Sequence, residues 1–201
     1  MRQTPERRQQ VLAAANQLIV EGGLARFSVL ALAQRLGMSK ETLYAWFGNK
    51  AALLTELIEG NAGEMLGVLQ RSRGEAFDAK ELRFRLEAFC AALLRLLCSD
   101  RSVAINRGAV HLAETGDIGS TLRRHGRDAV VKALAALLRR AKARELLRSA
   151  GPTEAEVLAA LALRDWQIER LLGRMGQPSA QRIAARSRDA VELFLRLYAK
   201  R

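Results

Sequence analysis

The residues best suited to contact a ligand lie between Ser39 and Phe47, in a stretch that runs SKETLYAWF. On a helix, Leu43 and Phe47 fall on one face because residues four apart are neighbours, so we expect both to pack inward. The outward side then carries Lys40, Glu41, Thr42, Tyr44 and Ala45. Such side chains suit base edges and phosphates in a DNA major groove, which admits one helix. The stretch therefore predicts a DNA-reading helix.

The outward side chains divide by chemistry into base readers and phosphate binders. Lys40 suits a guanine edge or a phosphate, Thr42 a base or a thymine methyl, and Ala45 a close approach to thymine. Tyr44 and Trp46 each carry a donor on a rigid ring, which suits a phosphate oxygen. A competing interpretation makes the aromatic residues simple core fillers. That interpretation fits Phe47, but Tyr44 and Trp46 do not fall on the inward face that Leu43 and Phe47 share.

Capping residues divide the first 60 residues into three short helices and a longer fourth one. Side chains that favour helix N-termini precede each apolar run, at Thr4 (with Pro5 following), Ser28, Ser39 and Asn49. Glycines suited to end helices follow the first three runs, at Gly22-Gly23, Gly37 and Gly48. About four residues join the second and third helices, which is the connection typical of a helix-turn-helix.

This N-terminal segment resembles the DNA-binding domain of the TetR/AcrR family of bacterial regulators, over about residues 9–57. The family's spacing is matched by Gly37, Ser39, Thr42, Tyr44, Phe47 and Lys50. Trp46 stands where the family often has His, and it keeps a ring N–H donor but lacks the acceptor and the titratable charge. At the start of the fourth helix, the Lys50 charge and the free backbone N–H groups would both favour a phosphate. The predicted DNA-binding residues are Ser28, Ser39, Lys40, Glu41, Thr42, Tyr44, Ala45, Trp46 and Lys50.

The rest of the chain reads as long amphipathic helices without a strand pattern, so the predicted fold class is all-α. We place these helices at about residues 80–97, 103–113, 119–147, 153–172 (capped by Thr153) and 180–198. We predict an N-terminal three-helix bundle with the helix-turn-helix over 1–50, a connector helix over about 49–70, and a larger helical domain over 71–201. Gly60, Gly63 and Gly67 indicate a compliant connector, or alternatively a helix with weak positions.

The family resemblance implies a larger domain that dimerises through its last two helices and usually holds a small molecule. Beyond residue 80 the chain is similar to the AefR-like branch. The apolar stripes of the last two helices suit an intermolecular four-helix bundle, although they could also pack within one subunit. The predicted interface residues are Leu161, Ile168, Leu172, Val191, Phe194, Leu195 and Tyr198.

Polar groups inside otherwise apolar segments mark a candidate ligand pocket. They are Asn106, Arg107, His111, Arg164, Asp165 and Trp166, of which Arg107, His111, Arg164 and Trp166 are the predicted pocket residues. Arg107 and His111 share a helix face and could hold an acidic ligand in an apolar cavity. Alternatively, these charges form surface or interface salt bridges.

The formal net charge of +12 suggests a polyanionic partner, but residues 1–60 contribute only +2 of it. The densest basic stretch, Arg123 to Arg148, holds nine basic and two acidic residues. A solvated helix face explains it, and a non-specific polyanion or membrane-surface binder is the rival class. Salt dependence separates the two, because purely electrostatic binding weakens on every sequence alike.

An enzyme is the other rival, and the sequence offers few parts for one. His111 and His125 are the only histidines, and no metal-ligand cluster, phosphate-binding loop or nucleophile motif appears. Cys90 and Cys98 form neither a disulfide framework nor a zinc site, and pairing Cys90 with His111 as nucleophile and base is the weaker interpretation. We expect no cofactor and no metal.

The combined prediction is a homodimer in the cytoplasm. The predicted location follows from the polar N-terminus and from apolar runs that are all shorter than a membrane span. The homodimer would bind a palindromic operator in double-stranded DNA and respond to a small-molecule effector, with repression as the family default. A regulator of the same fold without an effector is the nearest alternative.

Overall fold

A computed structural model describes residues 3–70, 77–112 and 117–200, which form helices and no β-strand. The all-α prediction is therefore confirmed. The domain boundary predicted at residue 71 and the helix end predicted at Ala113 lie outside the described residues. The α-helices are α1 (Pro5–Gly22), α2 (Val29–Leu36), α3 (Lys40–Phe47), α4 (Lys50–Gln70), α5 (Ala79–Leu97), α6 (Asp100–His111), α7 (Ile118–Thr121), α8 (Ala129–Ala143), α9 (Pro152–Leu163), α10 (Trp166–Leu171) and α11 (Ala180–Tyr198).

The predicted N-caps of the first four helices are confirmed. Thr4, Ser28 and Ser39 each accept a hydrogen bond from the backbone N–H three residues on, at 3.3, 3.1 and 3.1 Å. The Asn49 side chain does the same for α4, at 2.8 Å. Gly37 ends α2 in the left-handed conformation at φ 60°, which glycine adopts without a steric penalty. These local devices hold α2 and α3 as two separate short helices.

Two helices predicted as continuous are interrupted. The segment predicted over 153–172 breaks at Arg164, whose φ of 43° is rare for a residue with a side chain. Neither glycine nor proline marks this break, so propensity could not reveal it. The capping role predicted for Thr153 is wrong, because Pro152 takes the first helical position and Gly151 the N-cap.

The helix predicted over 119–147 is likewise composite. It consists of α7, a π-helical segment over Leu122–Asp128, and α8, which ends at Ala143. A π-helix is rare and is mostly confined to single turns within longer helices. The amphipathic pattern continues through it, which is why the sequence alone indicated one helix.

Contacts divide the chain into two compact units. The first is Met1–Gly60 with Asp100–His125, and the second is Asn61–Ser99 with Gly126–Arg201. The helix α6 belongs to the first unit because it packs against α1 and the short 3₁₀ turn Leu24–Arg26. The continuous helix α4 contains the boundary between the units, at Gly60.

The first unit has a core formed by α1, α2, α3, the start of α4 and one side chain of α6. Its fully buried members include Val11, Ala15, Ile19, Leu24, Leu32, Leu43, Leu53 and Ile105. Gly108 lets α6 approach the 3₁₀ turn closely. A Cβ added at Gly108 would lie 2.3 Å from the Cβ of Leu24.

Gly108→Ala should lower the free energy of unfolding of the first unit by about 1–3 kcal/mol. The added methyl meets the base of a side chain that is only 1% exposed, so backbone must move to accept it. Urea denaturation of the full chain measures the change. Gly60→Ala is the matched control, since Gly60 belongs to the same unit, nothing lies within 4 Å of its added Cβ, and alanine favours a helix. Equal stability of the Gly108→Ala variant and the wild type would contradict the close approach.

The second unit is built around α5, α8, α9 and α11, with the end of α4. Its largest fully buried side chains include Met65, Leu82, Leu86, Phe89, Leu94, Leu134 and Phe194. Two arginines are buried with partners. Arg85 donates to Glu81 at 2.7 Å, and Arg170 donates to the carbonyl oxygens of Cys98 and Met175 at 2.9 and 3.0 Å. Charges removed from water in this way must be paired.

An isolated antiparallel bridge joins Leu147 to Ala199. The Lys200 N–H donates to the Leu146 carbonyl at 3.1 Å, and the Lys200 ammonium binds Glu145 at 2.7 Å. The segment after α11 is therefore tied to the segment after α8.

Candidate nucleic-acid interface

The helix α3 presents one buried side and one exposed side. Leu43 and Phe47 are 1% and 6% exposed and lie in the core of the first unit. The Ser39 hydroxyl caps the helix and also lies 2.9 Å from the Thr42 hydroxyl. Lys40, Glu41, Tyr44 and Ala45 are exposed, and Thr42 is half-buried. The arrangement leaves a polar helix face free for a partner while its other face is fixed.

Tyr44 is the large side chain that this face offers to solvent. Its exposed fraction is 39%, and the Lys40 ammonium lies 5.6 Å from the centre of its ring. An ammonium over an aromatic face is an attractive contact. A cation and a phenol are thus adjacent on the exposed side of α3, where both could approach phosphate oxygens.

Trp46 is half-buried and packs against the core of the first unit. The interpretation of Trp46 as an outward DNA contact is therefore only partly supported by its position. Trp46 lies between the buried and the exposed face of α3, so part of its ring packs against the core, as the core-filling alternative proposed. Its predicted phosphate contact stays a prediction.

Lys50 makes a contact that the sequence did not reveal. Its ammonium donates to the Phe27 carbonyl at 2.6 Å and lies 5.6 Å from the centre of the Phe27 ring. Phe27 immediately precedes Ser28, the exposed N-cap of α2. Lys50 thus ties the start of α4 to the start of α2, and since its side chain stays exposed, two further N–H donors can face a phosphate.

Arg8 is a residue of this unit that sequence reasoning missed. Its guanidinium forms a two-pronged ion pair with Glu56 on α4, with Nε–Oε1 at 2.6 Å. Its Nη1 donates to the Trp46 carbonyl at 2.8 Å, and its Cζ lies 4.3 Å from the centre of the Phe47 ring. One hint was present, because Arg8 precedes the buried Val11 by one helical turn and so starts the inward stripe of α1.

Other exposed polar pairs of the first unit each join only two side chains. Arg35 on α2 binds Glu21 on α1 through two hydrogen bonds, at 3.0 and 2.6 Å. The hydrogen bond from Arg35 lowers the pKa of Glu21 below its ordinary value. His125 lies 2.7 Å from Glu59 near the unit boundary on α4. None of these pairs includes a residue of α3.

The four predicted pocket residues do not meet within either unit. Arg107 and His111 are exposed on α6 in the first unit, whereas Arg164 and Trp166 belong to the second. In the second unit, the Cζ atoms of Arg182 and Arg186 lie 5.2 and 5.5 Å from the centre of the Trp166 ring. Periodicity placed each residue on a helix but could not show which helices pack together.

The predicted interface residues divide into exposed and buried sets. Ile168 and Leu172 are 51% and 61% exposed, on the same side of α10 and its end. Leu161, Leu195 and Tyr198 are partly buried against the core of the second unit. Val191 and Phe194 are 0% exposed in that core, so their assignment to a partner-contacting surface is corrected. Val191 and Phe194, the buried part of the α11 stripe, therefore pack within their own subunit.

The two cysteines are buried and unpaired in the second unit. Burial raises the pKa of the Cys90 thiol far above its ordinary value, and it raises that of Cys98 as well. A thiol held neutral in this way is a poor nucleophile. Cys90 and His111 belong to different units, so neither unit contains the pair as a site.

Two kinds of feature are absent from the described part of the chain. No helix within residues 3–70, 77–112 and 117–200 is long and apolar enough to cross a membrane. The same residues contain no group of three or more His, Cys, Asp or Glu side chains placed to hold a metal ion.

Two family models match the chain. One, described as bacterial regulatory proteins of the tetR family, matches residues 11–57. The other, described as the C-terminal domain of AefR-like transcriptional repressors, matches residues 85–200. The first match contains α3, and the second contains most of the second unit together with α6.

Individual relatives agree with these matches. A TetR transcriptional regulator from Agrobacterium tumefaciens has a solved structure that is 28% identical, with a TM-score of 0.81 and coverage of 98% of this chain and 96% of that one. The fatty acid metabolism regulator protein of Bacillus subtilis is 28% identical over 52% of this chain and 53% of its own length. The transcriptional activator FasR of Mycolicibacterium smegmatis is 33% identical over 42% of this chain and 39% of its own length. The chain thus spans about half or less of these two curated relatives.

Proposed function

Because this chain belongs to the TetR family of bacterial transcriptional regulators and is a DNA-binding regulator, we propose that it represses transcription as a ligand-responsive homodimer on a palindromic operator. The observation that carries the proposal is α3, a capped helix with one face fixed in a core and the other exposed and polar. Its length and chemistry suit a major groove. In the dimer, two copies of α3 lie about 34–36 Å apart, in successive major grooves.

Ser28, Ser39, Lys40, Glu41, Thr42, Tyr44, Ala45, Trp46 and Lys50 are the proposed DNA contacts. Within this set, Thr42 and Ala45 would face bases, since they are short and lie toward the start and middle of α3. Lys40, Tyr44 and Lys50 would face phosphates, because each presents an exposed N–H or O–H donor at the end of a longer side chain. The exposed hydroxyls at the starts of α2 and α3 would add phosphate contacts at helix N-termini.

Dimerisation is supported by exposed apolar surface on the second unit. Ile168 and Leu172 lie four residues apart and leave about half or more of their surface in water. Burial of the remaining exposed half of each side chain between two copies would contribute about 1–2 kcal/mol each. A second copy is also needed because one short helix reads few base pairs. We propose Ile168 and Leu172, with partly exposed Leu161, as the centre of this contact.

The effector site is proposed in the second unit around Trp166. The guanidinium groups of Arg182 and Arg186 lie against its indole, and Arg164 stands at the adjacent helix break. Burial lowers the pKa of the Arg186 guanidinium, and the nearby positive charge of Arg164 lowers it further. The carboxylates of Asp165 and Asp189 act in the opposite direction but do not outweigh these two effects. Positive groups that repel each other in this way favour an acidic ligand. Its binding would shift the spacing of the two DNA-reading helices and release the operator.

Selection from random duplexes with the purified protein tests the regulator function. We expect enrichment of one palindromic sequence whose binding survives at moderate salt. Enrichment of no sequence, with binding that weakens equally on all DNA as salt rises, would favour the polyanion binder instead. A second arm adds small carboxylates to the wild-type operator complex and follows DNA release. In parallel, Trp166 emission is followed in a DNA-free Trp46→Phe variant, because Trp46 is itself a proposed DNA contact. A regulator without an effector would give neither an emission change nor DNA release.

Tyr44→Ala should weaken binding about tenfold on the selected operator and on unrelated DNA alike. The reason is that a hydrogen bond to a charged phosphate is lost, while phosphates carry no sequence information. Electrophoretic shift assays on both duplexes measure the effect. Tyr44→Phe is the matched variant, because it keeps the ring and removes only the hydroxyl. Wild-type affinity of both variants would show that Tyr44 does not contact a phosphate.

A further inference from the structure

Arg8 joins three helices of the first unit through polar contacts. It lies on α1, pairs with Glu56 on α4, and donates to the Trp46 carbonyl on α3. Its guanidinium also covers the ring of Phe47, the residue that anchors the buried face of α3. A single side chain therefore contacts both a backbone atom and a core residue of the DNA-reading helix.

The Trp46 carbonyl needs a partner from outside α3. The last four carbonyl oxygens of any helix find no backbone N–H donor within that helix. Near the end of α3, the Tyr44 carbonyl accepts from the Gly48 N–H at 2.7 Å, and the Phe47 carbonyl accepts from the Asn49 N–H at 3.0 Å. Arg8 supplies the donor for Trp46 at 2.8 Å. Arg8 thus caps the C-terminal end of α3 from α1.

The guanidinium is held in place by Glu56 and is engaged on each of its nitrogens. Nε and Nη2 face the carboxylate, and Nη1 faces the carbonyl. The side chains of Arg8 and Glu56 are 31% and 28% exposed, so water screens the pair less than it screens a fully exposed pair. The planar fork of arginine fits this two-sided arrangement, whereas a lysine could serve only one side.

We propose that Arg8, fixed by Glu56, is a positioning residue that sets the orientation of α3 and thereby the sequence specificity of DNA binding. Small misplacement of a recognition element is enough to lose productive contacts. Base contacts require a precise orientation of α3, whereas phosphate contacts tolerate a wider range of orientations. Loss of the Arg8 contacts should therefore reduce discrimination between operator and unrelated DNA more than it reduces affinity for DNA in general. The inference rests on the DNA-binding function of α3 proposed above, but not on the dimer or the effector.

Glu56→Gln gives the sharpest test, because two explanations predict opposite signs. Replacing a carboxylate with an amide makes the protein more positive, so a purely electrostatic effect would raise affinity for every duplex. If Glu56 holds Arg8 and Arg8 holds α3, affinity for the selected operator should instead fall about tenfold, with little change on unrelated DNA. Arg8→Gln and Arg8→Lys should show the same loss of discrimination, and the double variant should lose no more than either single one.

The Arg35–Glu21 pair provides a matched control in the same unit. It is also a two-pronged arginine–carboxylate pair anchored on α1, but it reaches α2 and not α3. Glu21→Gln should leave the ratio of operator to non-operator affinity within about twofold of wild type. Melting temperatures of all variants, measured in parallel, separate a loss of fold from a loss of orientation.

Trp46 supplies a local readout that general destabilisation would not change. In a Trp166→Phe background, Trp46 emission at a temperature well below unfolding should shift in Arg8→Gln and Glu56→Gln, and stay unchanged in Glu21→Gln. A folded Arg8→Gln variant with wild-type discrimination and unchanged Trp46 emission would overturn the inference. Failure of the wild-type protein to select any sequence would instead refute the operator proposal, so the two failures are distinguishable.

Discussion

Replacing Ile168 and Leu172 together with glutamate should convert the proposed dimer to monomers and reduce affinity for a full palindromic operator about 100-fold or more. Both side chains are at least half exposed within one subunit, and they lie on the same side of α10 and its end. Burial between two copies would account for that exposure. Glutamates at both positions would place four carboxylates at one two-fold contact, where like charges repel.

Affinity for a half-site should stay unchanged in the same variant, because each copy of α3, the proposed DNA-reading helix, is left intact. Light scattering gives the mass of the protein, and shift assays on full and half operators give the two affinities. Val110→Glu is the control, since Val110 is 72% exposed on α6 and lies outside α10. A variant that remains a dimer with full operator affinity would rule out this surface as the interface.

Phe194→Ala should lower the free energy of unfolding by about 3–5 kcal/mol, because it opens a cavity in the core of the second unit. Phe194 is 0% exposed, and its ring centre lies 4.9 Å from that of Tyr198. The stripe to which it belongs first suggested a contact between subunits. If that were its role, truncation would affect dimerisation, and the loss would depend on protein concentration.

Urea unfolding at two protein concentrations separates these outcomes. A core role predicts the same loss at both concentrations. Leu197→Ala on the same helix is the control, because Leu197 is 47% exposed and its truncation removes little buried surface. A midpoint for Phe194→Ala that equals wild type at high protein concentration would contradict the packing described here.

The parts of the fold that the sequence predicted depend on contacts within a few residues. Thr4, Ser28, Ser39 and Asn49 each cap the helix that begins beside them, so the four N-terminal helices were placed correctly. The same holds for α11, where the periodic pattern ran without interruption from Ala180 to Tyr198. Local chemistry is visible in a sequence because both partners stand close together in it.

The parts that escaped prediction join distant residues. Arg8 and Glu56 are 48 residues apart, and the residue pattern of neither helix indicates that they pair. Periodicity showed that α6 has an apolar face but not that the 3₁₀ turn at Leu24 covers it. It likewise could not show whether the stripe of Val191 and Phe194 meets its own subunit or a second one. Each of these questions concerns a partner, which an amphipathic pattern does not specify.

The π-helical segment Leu122–Asp128 has a consequence for how related sequences should be compared. Its hydrogen bonds span five residues instead of four, so it accommodates an extra residue between α7 and α8. A relative with a regular α-helix at this place would be one residue shorter. Aligning it without a gap would rotate every position on one side by about 100°, and would pair core residues with surface ones. We therefore expect related sequences to differ in length by one residue within this segment.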